Sequence, residues 1–498
     1  MKNKFYITTP IYYVNASPHI GHSYTTIAAD TLARFYRRVL GEDKVWFLTG
    51  TDEHGQKIQK AAEGAGVPAQ EFVDRIVPQF RDLWKKLNIT YNDFIRTTEL
   101  RHTLTVQKAL EILFNNGDIY QDKYEGWYCT PCETFWPPSQ ISETLCPDCK
   151  RPLEKINETN YFFKLSKYQD WLISHIEENP LFIRPQMRRN EVLSFLKLNR
   201  LTDLCISRPK ERLSWGIPLT FSAGHVVYVW FDALINYISA VGKFGGGRYS
   251  SNWWEDDVEV IHLVGKDILR QHAIYWPIML KALSIRQPDS VVAHGWWLIA
   301  DTKMSKSRGN VVNPLEMAAQ FGVDTYRYFL LRDVSFGLDG NFSEDAITKR
   351  YNADLANDFG NLVYRTLTMV EKYFSGKVPP AGELDNAGER IFAALKAAGQ
   401  ELSAALSAEL DFNFSLALEK LWGLVNLANK YIEDKKPWNL SKAGKTRELE
   451  AFIRLLVEVI SEVAKDILPF MPATAAAILE QVKADSIVKG KPLFPRIE

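Results

Sequence analysis

Near its start the chain makes a transition that sets its fold class. Phe5-Tyr6-Ile7-Thr8-Thr9 is a β-branched and aromatic run suited to a buried strand, and Pro10 stops it. A loop with Asn15, Ser17 and Pro18 follows. His19-Ile20-Gly21-His22 then opens a stretch in which Tyr24, Ile27, Ala28, Thr31, Leu32, Phe35 and Tyr36 recur at helical spacing. A strand feeding a helix through a polar loop puts backbone N–H groups and the positive end of the helix dipole at that loop, where an anion is favoured. Two histidines there can donate to phosphate oxygens, and Gly21 leaves room for a nucleotide against the backbone. Alone, so short a pattern describes a strand–loop–helix with two surface histidines equally well.

The alternation continues. Lys44 to Thr49 reads as a second buried strand, and Gly50-Thr51-Asp52-Glu53-His54-Gly55 is a polar loop opening the next helix. Strand ends of this kind carry ligands in open α/β sheets. Pro68 to about Leu113 reads as helical. From about Phe114 to Ser222 cysteines, aromatics and prolines mark an insertion with its own small structure. Val226–Ala233, Val258–Val264 and Val291–Ala293 then read as strands, with Ile268–Ala282 as the intervening helix. Strands disappear from about Asp324 onward. Amphipathic segments at Asn352–Phe374, Asn386–Leu406, Phe414–Asp434 and Arg447–Ile467 follow, punctuated by Pro379-Pro380, Pro437 and Pro469.

The pattern predicts an α/β protein: a split Rossmann-like nucleotide-binding sheet with a metal-binding insertion, followed by an all-α helical bundle. The segments are 1–113 and 223–302 for the two halves of the sheet domain, 114–222 for the insertion, 303–349 for a connecting region and 350–498 for the bundle. A length of 498 residues suits about three domains.

Zero formal net charge counts against a simple basic nucleic-acid coat, though not against a local basic face. Met1-Lys2-Asn3-Lys4 runs straight into the first strand without a secretory h-region, and no apolar run reaches the ~18 residues of a membrane helix. A cytoplasmic protein with no membrane partner is expected. Four of the 5 cysteines form the pairs Cys129-x-x-Cys132 and Cys146-x-x-Cys149. Paired thiols in a chain without a secretory signal point to metal, and four soft ligands in two turns fit a closed, structural tetrahedral zinc. An iron–sulfur cluster is the alternative.

Far downstream, Asp301-Thr-Lys-Met-Ser-Lys-Ser-Arg-Gly-Asn310 concentrates Lys303, Lys306 and Arg308 on one loop. Such a loop can close over a polyphosphate and neutralise developing charge; alone, it reads as a solvated basic loop. With the early His-Ile-Gly-His, the paired cysteines between them and the helical bundle after them, the sequence resembles the class I aminoacyl-tRNA synthetases. Within them it resembles the methionyl-tRNA synthetase family, in the bacterial form with one zinc knuckle, from Phe5 to the C-terminal residues.

The resemblance implies activation of methionine by ATP, with magnesium accompanying the nucleotide, and transfer to the terminal ribose of initiator and elongator methionine tRNA. It implies that His19, Gly21, His22, Gly265 and Asp267 meet ATP and that Lys303 and Lys306 stabilise the triphosphate. It assigns Asp52 to the α-ammonium; the competing reading is a helix N-cap. Ile11, Tyr13, Trp230, Ala233, Leu234, Tyr237, Ile268 and His272 would line the methionine pocket, with the tyrosine hydroxyl able to donate to sulfur. Aromatics at helical spacing are otherwise ordinary core. Leu234 stands where some family members carry proline.

Asn361, Arg365 and Trp438 match the family's anticodon readers, with Trp438 stacking on a base rather than serving as a buried hinge. The chain ends at Glu498 without the extra C-terminal domain of many members, so a monomer is expected. Synthetases for leucine, isoleucine and valine carry a much larger insertion, and cysteine enzymes use zinc in the amino-acid site. A decayed paralogue would not keep His19, His22, Asp52, Lys303 and Lys306, and a small-molecule nucleotidyltransferase would have no use for the bundle.

Overall fold

The computed structural model describes residues 2–15, 17–130, 134–136, 141, 144–147, 150–244, 251–299, 302–303 and 312–497. They form two compact units. The first comprises Met1–Pro18, Tyr36–Lys85 and Ile89–Ala293, and the second His19–Phe35, Lys86–Asn88 and His294–Glu498.

The first unit is built on a six-stranded parallel sheet. Strand β1 (Lys4–Tyr13) lies between β2 (Val45–Asp52) and the strand Val258–Gly265. Beyond β2 lies β3 (Asp93–Arg96), and beyond Val258–Gly265 lie Ser290–His294 and Ile183–Arg184. Phe5, Tyr6 and Ile7 are all fully buried, as in a parallel sheet covered on both faces, which explains why β1 reads as an unbroken apolar run. The order of connection reverses at β1, so the crevice outside the C-terminal ends of β1, β2 and Val258–Gly265 is where such a sheet takes its ligand. The β1–β2 register shifts between Thr8 and Ile11, around Pro10, which has no N–H to give to a ladder.

A second, antiparallel sheet carries the long ribbon Ile119–Cys129 against Glu154–Phe163, with Thr134–Trp136 and Leu204–Cys205 at its edges. In the second unit, Trp297–Ile299 pairs with Thr302–Lys303 and with Gly340–Asn341. The long helices there are Asn361–Phe374, preceded by a π-helical Tyr351–Gly360, then Asn386–Ala405, Phe414–Lys435 and Thr446–Ile467. Asp385 and Asn413 cap two of them, each accepting from a first-turn N–H.

Four sequence expectations are corrected. The stretch read as helical from Pro68 to Leu113 contains β3. Only four residues long, with charges at both ends and a neighbour on one side, it carries almost no periodic signal. Its approach to β2 is close: a Cβ on Gly50 would lie 2.1 Å from the Ile95 carbonyl oxygen. Val226–Ala233 is not one strand. The strand stops at Val227 and Val229–Leu234 is helical, packing overriding the β propensity of Val-Tyr-Val-Trp-Phe. Ile268–Ala282 is a 3₁₀ turn (Lys266–Ile268), a π turn (Gln271–Tyr275) and an α-helix from Trp276, the change falling where Pro277 cannot donate. Finally, Gly340–Asn341 is a strand beyond the point where strands were expected to end.

Candidate active site

In the first unit the sheet brings Tyr13 and Asp52 opposite each other at the ends of β1 and β2, with Ile11 opposite Gly50. Asp52 is a strand end rather than a helix cap, and it is 7% exposed. The two residues that follow it are both anchored. Glu53, fully buried, accepts from Arg96 Nε at 2.7 Å and Nη2 at 2.8 Å, from Thr98 at 2.7 Å and from Thr51 at 2.6 Å. His54 Nδ1 lies 2.7 Å from the Asp232 carboxylate. Sequence reading singled out neither Glu53 nor Asp232. The signal available was a carboxylate inside an apolar run, Val-Trp-Phe-Asp-Ala-Leu-Ile, which is retained only if something pairs with it.

Trp230, Ala233 and Leu234 sit on the short helix Val229–Leu234, and Tyr237 follows on Asn236–Ser239. Ala233, Leu234 and Tyr237 are buried and Trp230 partly so. Gly265 ends its strand, and the turn after it presents Asp267 to solvent and Ile268 half-buried. Tyr237, Ile268 and His272 form one chain of hydrogen bonds: His272 Nδ1 to the Ile268 carbonyl at 2.9 Å, and Tyr237 Oη to His272 Nε2 at 2.7 Å.

The direction of that chain follows from chemistry. Burial lowers the His272 pKa to about 4, so the ring is neutral. A carbonyl only accepts, so the proton is on Nδ1, and Nε2 accepts from Tyr237. The hydroxyl expected to donate to a thioether sulfur gives its hydrogen to His272 in this structure. Below Tyr237, His262 stacks on its ring at 4.1 Å. Trp276 Nε1 donates to His262 Nε2, and His262 Nδ1 therefore donates to Thr8. Burial, with His272 nearby, holds His262 well below its ordinary pKa.

In the second unit, His19 precedes helix α1 (Ile20–Leu40) and His22 lies in its first turn. The rings stack at 3.9 Å. The His19 N–H donates to His22 Nδ1, and the Gly21 N–H donates to His19 Nδ1, each at 3.1 Å. Both rings thus accept at Nδ1 and carry their proton at Nε2, giving two imidazole donors at a helix N-terminus, the arrangement that suits phosphate. Gly21 eases this fold-back, since a Cβ there would lie 3.0 Å from His19 Cε1 and the ring would have to give. Lys303 lies on the strand Thr302–Lys303; Lys306 is outside the described residues.

Asn361 begins its helix and is exposed, and Arg365, one turn on, is partly so. Trp438 is 43% exposed on the turn Pro437–Lys442, after a left-handed Lys436, so its indole is presented to solvent rather than buried as a hinge.

Cys132 and Cys149 lie outside the described residues, and among the described residues no three metal-ligating side chains cluster. Cys129 and Cys146 are fully buried in one small apolar cluster with Leu153, flanked by Trp127, Trp136 and Ile141. The Lys150 N–H bonds to the Cys146 carbonyl and the Cys146 N–H to the Arg151 carbonyl. Two buried thiols in one cluster, each with a second cysteine three residues on, fit a four-thiolate zinc site.

Comparison with known proteins identifies the family. Residues 5–155 and 152–367 match the family model for tRNA synthetases class I (M), and residues 378–491 match that for the anticodon binding domain of methionyl tRNA ligase. Over 523 residues the chain is 46% identical to the methionine–tRNA ligase of Clostridium acetobutylicum, covering 100% of this chain and 79% of that protein. It is 43% identical to the corresponding ligase of Bacillus subtilis, covering 100% of this chain and 78% of that one. Mycobacterium tuberculosis methionyl-tRNA synthetase in complex with methionyl-adenylate superposes with a TM-score of 0.92 at 38% identity, covering 100% of both chains. The apo form of that enzyme superposes at 0.86 and 36% identity.

Proposed function

The chain belongs to the class I methionyl-tRNA synthetases, and on that premise we propose how its own residues divide the work. The reaction activates methionine with ATP to methionyl adenylate and transfers the methionyl group to the 3′ end of methionine tRNA. A methionine carboxylate oxygen attacks the α-phosphorus and pyrophosphate leaves. A hydroxyl of the terminal ribose then attacks the methionyl carbonyl and AMP leaves. No enzyme nucleophile is needed, so catalysis rests on positioning and electrostatics.

We assign Asp52 to the α-ammonium, with Ile11 and Tyr13 beside it in register. Trp230, Ala233, Leu234, Tyr237, Ile268 and His272 form the apolar slot for the thioether. Two observations support this: Ile11, Tyr13, Asp52 and the turn at Ile268 lie at or just beyond the C-terminal ends of the parallel strands β1, β2 and Val258–Gly265, and Tyr237 is hydrogen-bonded to His272 at 2.7 Å. His19 and His22 give their Nε2–H groups to ATP phosphates, and Asp267 accepts from ribose hydroxyls near Gly265. Lys303 and Lys306 neutralise the triphosphate as pyrophosphate departs, with magnesium entering on the nucleotide. Initiator and elongator methionine tRNA are both substrates, and charging takes place in the cytoplasm.

Asn361, Arg365 and Trp438 read the anticodon. Trp438→Ala should therefore lower tRNA charging steeply, by about ten- to a hundredfold if one base–aromatic stack of about 1–3 kcal/mol is lost. Methionine-dependent exchange between pyrophosphate and ATP should stay within about twofold, because it needs no tRNA. Equal loss in both assays would make the tryptophan structural, and exchange driven by an amino acid other than methionine would overturn the assignment of the pocket.

Cys129, Cys132, Cys146 and Cys149 hold one structural zinc, which supplies folding energy to the ribbon's tip and takes no part in the chemistry. Metal analysis of the purified chain should find about one zinc per molecule. Its absence, with all four thiols titrating freely, rules the site out.

A further inference from the structure

Asp232 is fully buried and bound by two imidazoles that lie far from it in sequence: His54 Nδ1 at 2.7 Å from Oδ2 and His102 Nε2 at 2.7 Å from Oδ1. His102 is itself fully buried and its Nδ1 lies 2.8 Å from Ser239 Oγ, whose hydroxyl is also in reach of the Asn236 carbonyl at 3.1 Å. None of these groups belongs to the set assigned to substrate above. Their neighbours do. Asp232 is flanked on its short helix by Trp230, Ala233 and Leu234, and His54 follows Asp52 by two positions.

We propose that Asp232 is a positioning residue for amino-acid selection, tying the strand end that carries Asp52 to the helix that carries the apolar wall. The inference rests on the assignment of Asp52 to the substrate ammonium. Three features carry it. The Asp232 bonds are N–H···O⁻ contacts among buried groups, so they are strong and directional. Burial drives the Asp232 carboxyl up, but His54 and His102 outweigh it and hold it at about 2, so the acceptor is always ionised. The residue between Asp52 and His54, Glu53, is fixed independently through Arg96, Thr51 and Thr98. With Glu53 held to β3 and His54 held to Val229–Leu234, the Asp52 backbone has little freedom to rotate its carboxylate away from the sheet edge.

A carboxylate used only to stabilise the core would affect both substrates and every ligand of the pocket alike. One that aims Asp52 would affect only ligands with an ammonium. Asp232→Asn keeps the shape and one acceptor oxygen but cannot accept from both imidazoles. In pyrophosphate exchange it should raise the methionine KM by about ten- to a hundredfold, the effect of misplacing a binding group by roughly 1 Å. The KM for ATP should stay within about twofold.

Inhibition by 4-(methylthio)butanoate, which is methionine without its ammonium, should be unchanged. His54→Gln, which leaves Asp232 paired with His102, should show the same selective loss. Equal weakening of methionine and of 4-(methylthio)butanoate, or none of either, overturns the proposal. If Asp52→Ala leaves the methionine KM unaltered, it is the Asp52 assignment that fails, and the two failures are thereby told apart.

Discussion

Asp52→Ala is expected to lower kcat/KM for methionine by about two to three orders of magnitude, mostly through KM. The estimate follows from removing one partner of a desolvated, hydrogen-bonded charge pair, which costs about 2–5 kcal/mol, with about 1.4 kcal/mol per decade. Here the middle of that range applies. The carboxylate sits at a strand end, 7% exposed, and the two residues after it are pinned by Arg96 and Asp232. An ammonium arriving there leaves water behind and loses its anionic partner once the side chain is cut back to Cβ. Asp52→Asn keeps the shape and one oxygen and should fall between wild type and alanine. Steady-state pyrophosphate exchange at varied methionine and fixed ATP reads the effect directly. A methionine KM within about threefold of wild type for the alanine variant would remove Asp52 from the ammonium site.

The second large effect concerns stability. Arg327 and Asp30 are both fully buried in the second unit, paired at 2.8 Å. Arg34 also binds Asp30, at 2.8 Å. The Arg327 guanidinium also donates to the carbonyls of Pro469 at 2.8 Å and Phe470 at 2.9 Å, and more distantly to Leu87 at 3.3 Å. Burial works against the charged guanidinium, and Asp30 offsets part of that. Arg327→Ala removes every one of these donors at once, and should destabilise by about 3–5 kcal/mol, as breaking a buried pair does. Arg327→Lys should recover little, because an ammonium on a flexible stem cannot span a carboxylate and several carbonyls held in fixed places. Guanidinium titration followed by tryptophan fluorescence measures both. A midpoint for the alanine variant that coincides with wild type would mean the pair carries no net stability.

How far the sequence led is clearest at Asp52. The polar loop after an apolar strand marks a ligand position, and the family resemblance names its role. What holds the residue in place was out of reach, because the partners of Glu53 and His54 lie 43 and 178 positions away and no local pattern joins them. β1, β2 and Val258–Gly265 were legible as buried runs, being central strands with apolar side chains on both faces. β3 was not, since an edge strand of four residues with charged ends has neither period nor length. Trp230 to Leu234 misled, because aromatic and β-branched residues favour strands on average and here pack as a helix. The grouping of Tyr237 with His272 came from resemblance alone. The direction of its hydrogen bond needed the carbonyl of Ile268, a backbone atom on which side-chain identity is silent.

The Arg327 contacts also bear on the order in which the chain can be finished on the ribosome. Asp30 emerges early, Arg327 much later, and the carbonyls of Pro469 and Phe470 last. At ~5–20 residues per second the delay from residue 30 to residue 470 is roughly 20–90 seconds. Throughout it the carboxylate on α1 must stay hydrated or rely on Arg34. The residues of the first unit, which include the end of α1 from Tyr36, have all been made by Ala293, before Arg327 is available to Asp30.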